Sequence, residues 1–114
     1  MTEDARTALE SERAKARDQL AGLERDFASS VEAARNANAD DEHDPEGATL
    51  AFERQHVAAH ISRVMDRLRE IDGALARLDN GGYGICQRCG QMIPAARLAV
   101  RPSAATCVAC ASRA

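Results

Sequence analysis

The residues best placed to do chemistry are four cysteines. Cys86-Gln87-Arg88-Cys89 and Cys107-Val108-Ala109-Cys110 form two C-x2-C pairs separated by residues 90–106, a spacing that suits four thiolates on one metal ion. Two residues between thiolates let one tight turn present both sulfurs, while backbone N–H groups stabilise their charge. Gly90 follows Cys89 directly, where a positive φ is often required. The stretch from Ile93-Pro94 to Pro102 is long enough for a short hairpin or a helical turn. Four sulfur ligands fill a tetrahedral ion and leave no position for water, so the pattern reads as one structural zinc ion and argues against hydrolytic chemistry. A redox C-x-x-C would call for a βαβ context that the sequence lacks. Zinc binding of roughly 10–16 kcal/mol at neutral pH would act as folding energy for this segment.

A second concentration of chemistry is acidic. Asp40-Asp41-Glu42-His43-Asp44-Pro45-Glu46 holds five carboxylates in seven residues, leaving a net +2 on the rest of a chain whose formal charge is −3. Asp44 and Glu46 fall at a helix start, where the dipole favours negative charge. Asp40, Asp41 and Glu42 follow a helix end, where cations are favoured by about 0.3–1 kcal/mol each. A local rule broken repeatedly at one spot points to function, against the plainer reading of a solvated loop. His56 and His60 lie one helical turn apart without an evident third ligand and are expected to be exposed helix histidines. Arg54 falls on a seam position, where it either snorkels past a thin core or serves a partner. No Ser/His/Asp set, phosphate loop or nucleotide motif is present, so no enzymatic activity is expected.

These groups must be positioned by helices. The chain has 114 residues, 29% charged and 3% aromatic, with no Trp, and Ala alone supplies 24 positions. The acidic balance and the scarcity of Lys exclude a nucleic-acid-coating protein, and so few rings exclude a base-stacking platform. Residues 5 to about 38 carry a narrow seam through Leu9, Ala16, Leu20, Leu23 and Phe27, with Ala34 and Ala37 beyond. Gly22 should cost about 1 kcal/mol relative to Ala, so this helix relies on a partner. Residues 45 to about 79 carry Leu50, Val57, Ile61, Val64, Leu68, Ile71, Leu75 and Leu78 at spacings of 7, 4, 3, 4, 3, 4 and 3, a near-unbroken a/d repeat. Asp44-Pro45 suits a helix start and Asn80-Gly81-Gly82 a stop.

The seams therefore predict a mainly α fold: residues 1–80 as an antiparallel coiled-coil hairpin with its acidic tip at 40–46, and residues 81–114 as a C4-type zinc finger. Leu23 would lie near Ile61, Leu20 opposite Val64 and Ala16 opposite Leu68. Each arm would extend about 50 Å at 1.5 Å per residue. A parallel dimer using one helix per chain is the competing arrangement, and the short polar turn favours pairing within one chain, hence a monomer. No stretch approaches the roughly 18 apolar residues of a membrane span, and no signal peptide is evident. The expected compartment is the cytoplasm, where thiols stay reduced. Arg88, Arg97, Arg101 and Arg113, with no acid between residues 83 and 114, leave the zinc end mildly basic.

The run Gly82-Tyr83-Gly84-Ile85-Cys86-Gln87-Arg88-Cys89-Gly90, followed by Ile93, Arg97-Leu98, Arg101-Pro102 and Cys107-Val108-Ala109-Cys110, resembles the DksA/TraR C4-type zinc-finger family. The likeness covers about residues 40–110, and the first helix by pattern alone. It implies a bacterial transcription factor that binds RNA polymerase directly, without recognising DNA sequence. The family's coiled coil enters the polymerase secondary channel, and its acidic tip works near the catalytic centre. The tip pattern Asp-x-x-Asp-x-Ala of well-known members falls here with Glu46, Gly47 and Ala48 on its last three positions and Asp44 or an upstream neighbour on its first. The partner-binding tip implied is thus Asp40, Asp41, Glu42, Asp44, Glu46 and Ala48. Longer members act with the alarmone ppGpp; their N-terminal globular segment and most of their C-terminal helix have no counterpart here, so ppGpp dependence is not expected to carry over. The alternative is a zinc-stabilised coiled-coil adaptor with a partner other than polymerase. A nucleic-acid-binding finger is a third reading, and the acidic balance argues against it.

Overall fold

The computed structural model describes residues 2–40 and 45–113, with side chains described across these spans except at positions 2, 34, 37–40, 45–48 and 50. Among the described residues the chain forms helices and no strand: α1 (Thr2–Asp40), α2 (Pro45–Asn80), α3 (Ala95–Val100) and α4 (Val108–Ala111). The two long helices pack against each other, and the four-cysteine segment follows them. The mainly α architecture expected from the seams is therefore the observed one. α1 continues to Asp40, two residues past its expected end, and α2 starts at Pro45 as its cap signal predicts. No helix among the described residues is long and apolar enough to cross a membrane.

The chain divides into two compact units, residues 1–15 with 67–114, and residues 16–66. In the first, Leu9, Ile71 and Ala74 are fully buried, with Leu75, Leu78 and Tyr83 packed against them. Leu9, Ile71, Leu75 and Leu78 are all seam positions. Ala74 is not, and its burial has a steric reason: it follows Ile71 by three residues, so it lies on the same helix face, where a small side chain lets neighbouring groups close over it. Arg6 pairs with Asp79 and Arg13 with Asp72, both at 2.8 Å. A heptad forward on α1 is matched by a heptad back on α2, so the pairing is antiparallel. Extended along α1, the expected register puts residues 6 and 13 level with 78 and 71; the observed partners are one residue further on.

α2 stops where Gly81 adopts φ 83°, a left-handed conformation that a Cβ disfavours. The N–H groups of Gly82 and Tyr83 both donate to the Arg77 carbonyl, at 2.8 and 3.1 Å. Asn80 Oδ1 accepts a second contact from the Gly82 N–H at 3.0 Å. Asn80-Gly81-Gly82 thus ends the helix by turning N–H donors back onto the Arg77 carbonyl, which would otherwise lack a partner.

In the second unit, Ala16 and Val64 are buried, while Leu20, Leu23, Phe27, Val57 and Ile61 are half-buried, as fits a thin two-helix seam. His60 is half-buried and shares a hydrogen bond with Gln19 across the helices at 3.0 Å. His56 is exposed and meets Phe52 edge to face, with ring centroids 5.0 Å apart. The expectation of two exposed histidines is therefore corrected for His60, which lies three residues after Val57 and four before Val64, at the edge of the seam beside α1. Among the described residues no third ligand joins them. Arg54 is half-buried.

Candidate metal centre

The first knuckle is assembled from its own backbone. Gly84, at φ 86°, lets the chain reverse after Tyr83. Ile85 then bridges antiparallel to Met92, and the Cys86 N–H donates to Gln91 O at 2.8 Å and the Ile93 N–H to Gly84 O at 2.7 Å. The turn inside this ladder closes through the Gly90 N–H to Cys86 O at 2.9 Å. Gly90 takes φ 76°, the positive value its place after Cys89 predicts. The Cys89 N–H points at Cys86 Sγ, 3.5 Å away.

The second knuckle is built differently. Cys107 is the N-cap of α4 in extended conformation, and Cys110 lies within the helix. α3 carries the chain across from the first knuckle and ends as the Arg101 N–H donates to Arg97 O at 2.7 Å. Three contacts then draw the return segment inward. Tyr83 Oη donates to Pro102 O at 2.8 Å, the Gln87 N–H to Ala105 O at 2.8 Å, and Arg97 Nε to Thr106 O at 2.9 Å. Arg101 pairs with Glu70 of α2 at 2.8 Å, so part of the expected basic surplus at this end is neutralised. Arg77 Nη2 is buried with no hydrogen-bond partner among the described residues.

The outcome is a cluster in which one sulfur from each of Cys86, Cys89, Cys107 and Cys110 lies within 4.8 Å of the others. Cys89 Sγ and Cys107 Sγ are 3.9 Å apart. A tetrahedral zinc with Zn–S near 2.3 Å places its sulfurs about 3.8 Å from one another, so the donor set fits such an ion. All four thiols are free of disulfides; Cys86 and Cys110 are buried, Cys107 half-buried and Cys89 exposed. Cys86 and Cys110 also form a small core with Ile93, against which Leu98 packs.

The local field favours thiolates unevenly. The Cys89 N–H, aided by the N–H groups of Cys107 and Arg88, holds the Cys86 thiol down to about 6 against the opposing effect of burial. The Cys110 N–H lowers Cys107 likewise. Cys110 is pushed up to about 12, first by its hydrogen bond with Cys107 and then by burial. A thiol set that shares protons in this way surrenders them together when a divalent cation replaces them. Soft sulfur donors in tetrahedral array select zinc or an iron–sulfur centre.

Comparison with known proteins bears on that choice. Residues 81–114 match the prokaryotic dksA/traR C4-type zinc finger. An uncharacterized protein of Aquifex aeolicus is 52% identical over 44 residues, covering 39% of this chain and 30% of that protein. Uncharacterized protein YteA of Bacillus subtilis is 38% identical over 66 residues, 58% of this chain and 28% of its own length. The matches thus span under a third of these curated relatives. The structure of transcription factor DksA2 from Pseudomonas aeruginosa superposes with a TM-score of 0.55 at 28% identity, covering 92% of this chain and 81% of that one. The four-cysteine cluster is accordingly that of a C4-type zinc finger able to hold one metal ion.

Of the expected tip, Asp41, Glu42 and Asp44 lie outside the described residues. Asp40 closes α1 and Glu46 and Ala48 belong to the first turn of α2, with their side chains outside those described. Arg88, Arg97 and Tyr83 carry hydrogen bonds that no local pattern foretells; the signal in hand was their place between and beside the knuckles.

Proposed function

We propose that the protein is a DksA-like transcription regulator that binds bacterial RNA polymerase directly through the polymerase secondary channel. The observation that carries this reading is the pairing of two features in one chain. A C4-type zinc finger follows two long, mutually packed helices, and that combination resembles transcription factor DksA2 over 92% of the present chain. In this reading Cys86, Cys89, Cys107 and Cys110 hold one structural zinc ion in the cytoplasm. The metal supplies a fixed tetrahedral node and no reaction. The chain acts as a monomer, reads no DNA sequence and catalyses nothing.

Asp40, Asp41, Glu42, Asp44 and Glu46, with Ala48 beside them, form the working end. Carboxylates there would meet basic groups or magnesium near the polymerase active site. They alter initiation only if those contacts differ between states of the polymerase–promoter complex, because differential affinity alone shifts an equilibrium.

Retention on immobilised core polymerase, followed by in vitro transcription from a ribosomal promoter, tests the reading. Asp44→Asn with Glu46→Gln should abolish the transcriptional effect and leave retention largely intact. No retention of the wild-type chain overturns the polymerase assignment in favour of an adaptor with another partner. The same assay with and without ppGpp shows whether the nucleotide is required.

A further inference from the structure

The two knuckles are secured unequally. Cys86 and Cys89 sit in a closed backbone ladder, with Cys86 N to Gln91 O, Gly90 N to Cys86 O and Ile93 N to Gly84 O all at 2.7–2.9 Å. Cys107 caps a helix of only four residues and Cys110 lies within it, and so short a helix does not hold its own ends firmly. From outside the helix, arginine side chains donate to carbonyls at and beside these cysteines. Arg97 holds the carbonyl of Thr106, the residue before Cys107. Arg88 reaches from the first knuckle to the second, where its Nη1 donates to the carbonyl of the ligand residue Cys110 at 3.0 Å and to Arg113 O at 3.3 Å. Arg88 thus belongs to the first knuckle, between Cys86 and Cys89, and its side chain donates to the backbone of the second.

We propose that Arg88 is the latch of the metal site: its guanidinium holds Cys110 in place, and without it the second knuckle opens first and the metal leaves through that side. The proposal rests on the four cysteines holding zinc. Arg88 touches no metal and acts through the backbone of a ligand, so it is a positioning residue. Because residue 88 is exposed and lies outside both long helices, its replacement is expected to leave the helical fold intact.

The test uses the full chain loaded with zinc. The metal content of the wild type comes first, since a chain that does not retain one zinc overturns the reading beneath the proposal before any variant is made. Zinc transfer to a chromogenic chelator is then timed for wild type, Arg88→Ala and Arg88→Lys, with far-UV circular dichroism as the check on folding. Arg88→Ala should release zinc about tenfold faster or more, the scale on which partners behind the ligands act. Arg88→Lys, which keeps a cation and donors on a long stem, should fall between the two.

Alkylation resolved by mass spectrometry adds a readout that general destabilisation would not produce. Cys86 and Cys110 are exposed to only 1% and 6%, and each is compared with itself in the wild type because their thiols differ in acidity. In Arg88→Ala, alkylation of Cys110 should accelerate by a much larger factor than that of Cys86. Equal acceleration at both cysteines, release at the wild-type rate, or a Lys variant as fast as the Ala variant overturns the latch.

Discussion

The Cys86 thiol is held down chiefly by the Cys89 N–H aimed at its sulfur, and this sets how the site responds to acid. With Cys86 held down to about 6, its thiolate is present at neutral pH and is lost as pH falls through that value. Binding must then displace one more proton, so zinc affinity should decline on acidification and decline more steeply below about pH 6. Competition titrations with a chelator across about pH 5–8 would show the change of slope; an affinity flat with pH would contradict it. Tyr83 offers a second residue-level expectation. Its hydroxyl donates to Pro102 O at 2.8 Å, and burial raises its pKa, Arg77 opposing and Glu12 adding to the shift. Tyr83→Phe should cost about 1–2 kcal/mol in denaturant unfolding, since a part-buried carbonyl loses its donor. The four-cysteine cluster was legible from spacing alone, because two residues between thiols leave the backbone little choice. Arg88 and Arg97 were not, because their acceptors are 22 and 9 residues away and come within reach only once α3 has turned the chain back.

At the scale of the elements, the long helices follow from apolar period and punctuation. Leu9 and Ile71 are both 0% exposed and both stood on the predicted seam. Leu9→Ala should therefore destabilise the fold by about 2–5 kcal/mol, measured as a shift in urea midpoint with the slope unchanged. Arg13→Ala removes an ion pair whose partners are 36% and 54% exposed and should cost about 0–1 kcal/mol. A larger loss from Arg13 than from Leu9 would mean that charge, and not packing, holds the helices together. Ala74 shows where legibility ended: it stands off the predicted seam, and among 24 alanines nothing marks it for burial. The helix stop was readable in detail, since Asn-Gly-Gly offers both a side-chain acceptor and a residue free to take positive φ.

For the molecule as a whole, the metal and the helices contribute on different terms. α1 and α2 span 39 and 36 residues, while α3 and α4 span 6 and 4. Stripping zinc with a strong chelator should therefore leave most of the far-UV helical signal, while amide resonances of residues 84–113 lose their dispersion. Collapse of the helical signal on chelation would show that the long helices depend on the metal too. Tyr83 packs against the cluster of Leu9, Ile71 and Ala74 and also binds the segment returning from α3. It is the sole tyrosine of a chain without tryptophan. Light absorbed near 275 nm is thus emitted from one ring at one known address, and a fluorescence trace during metal loss reports that address alone, with no label attached.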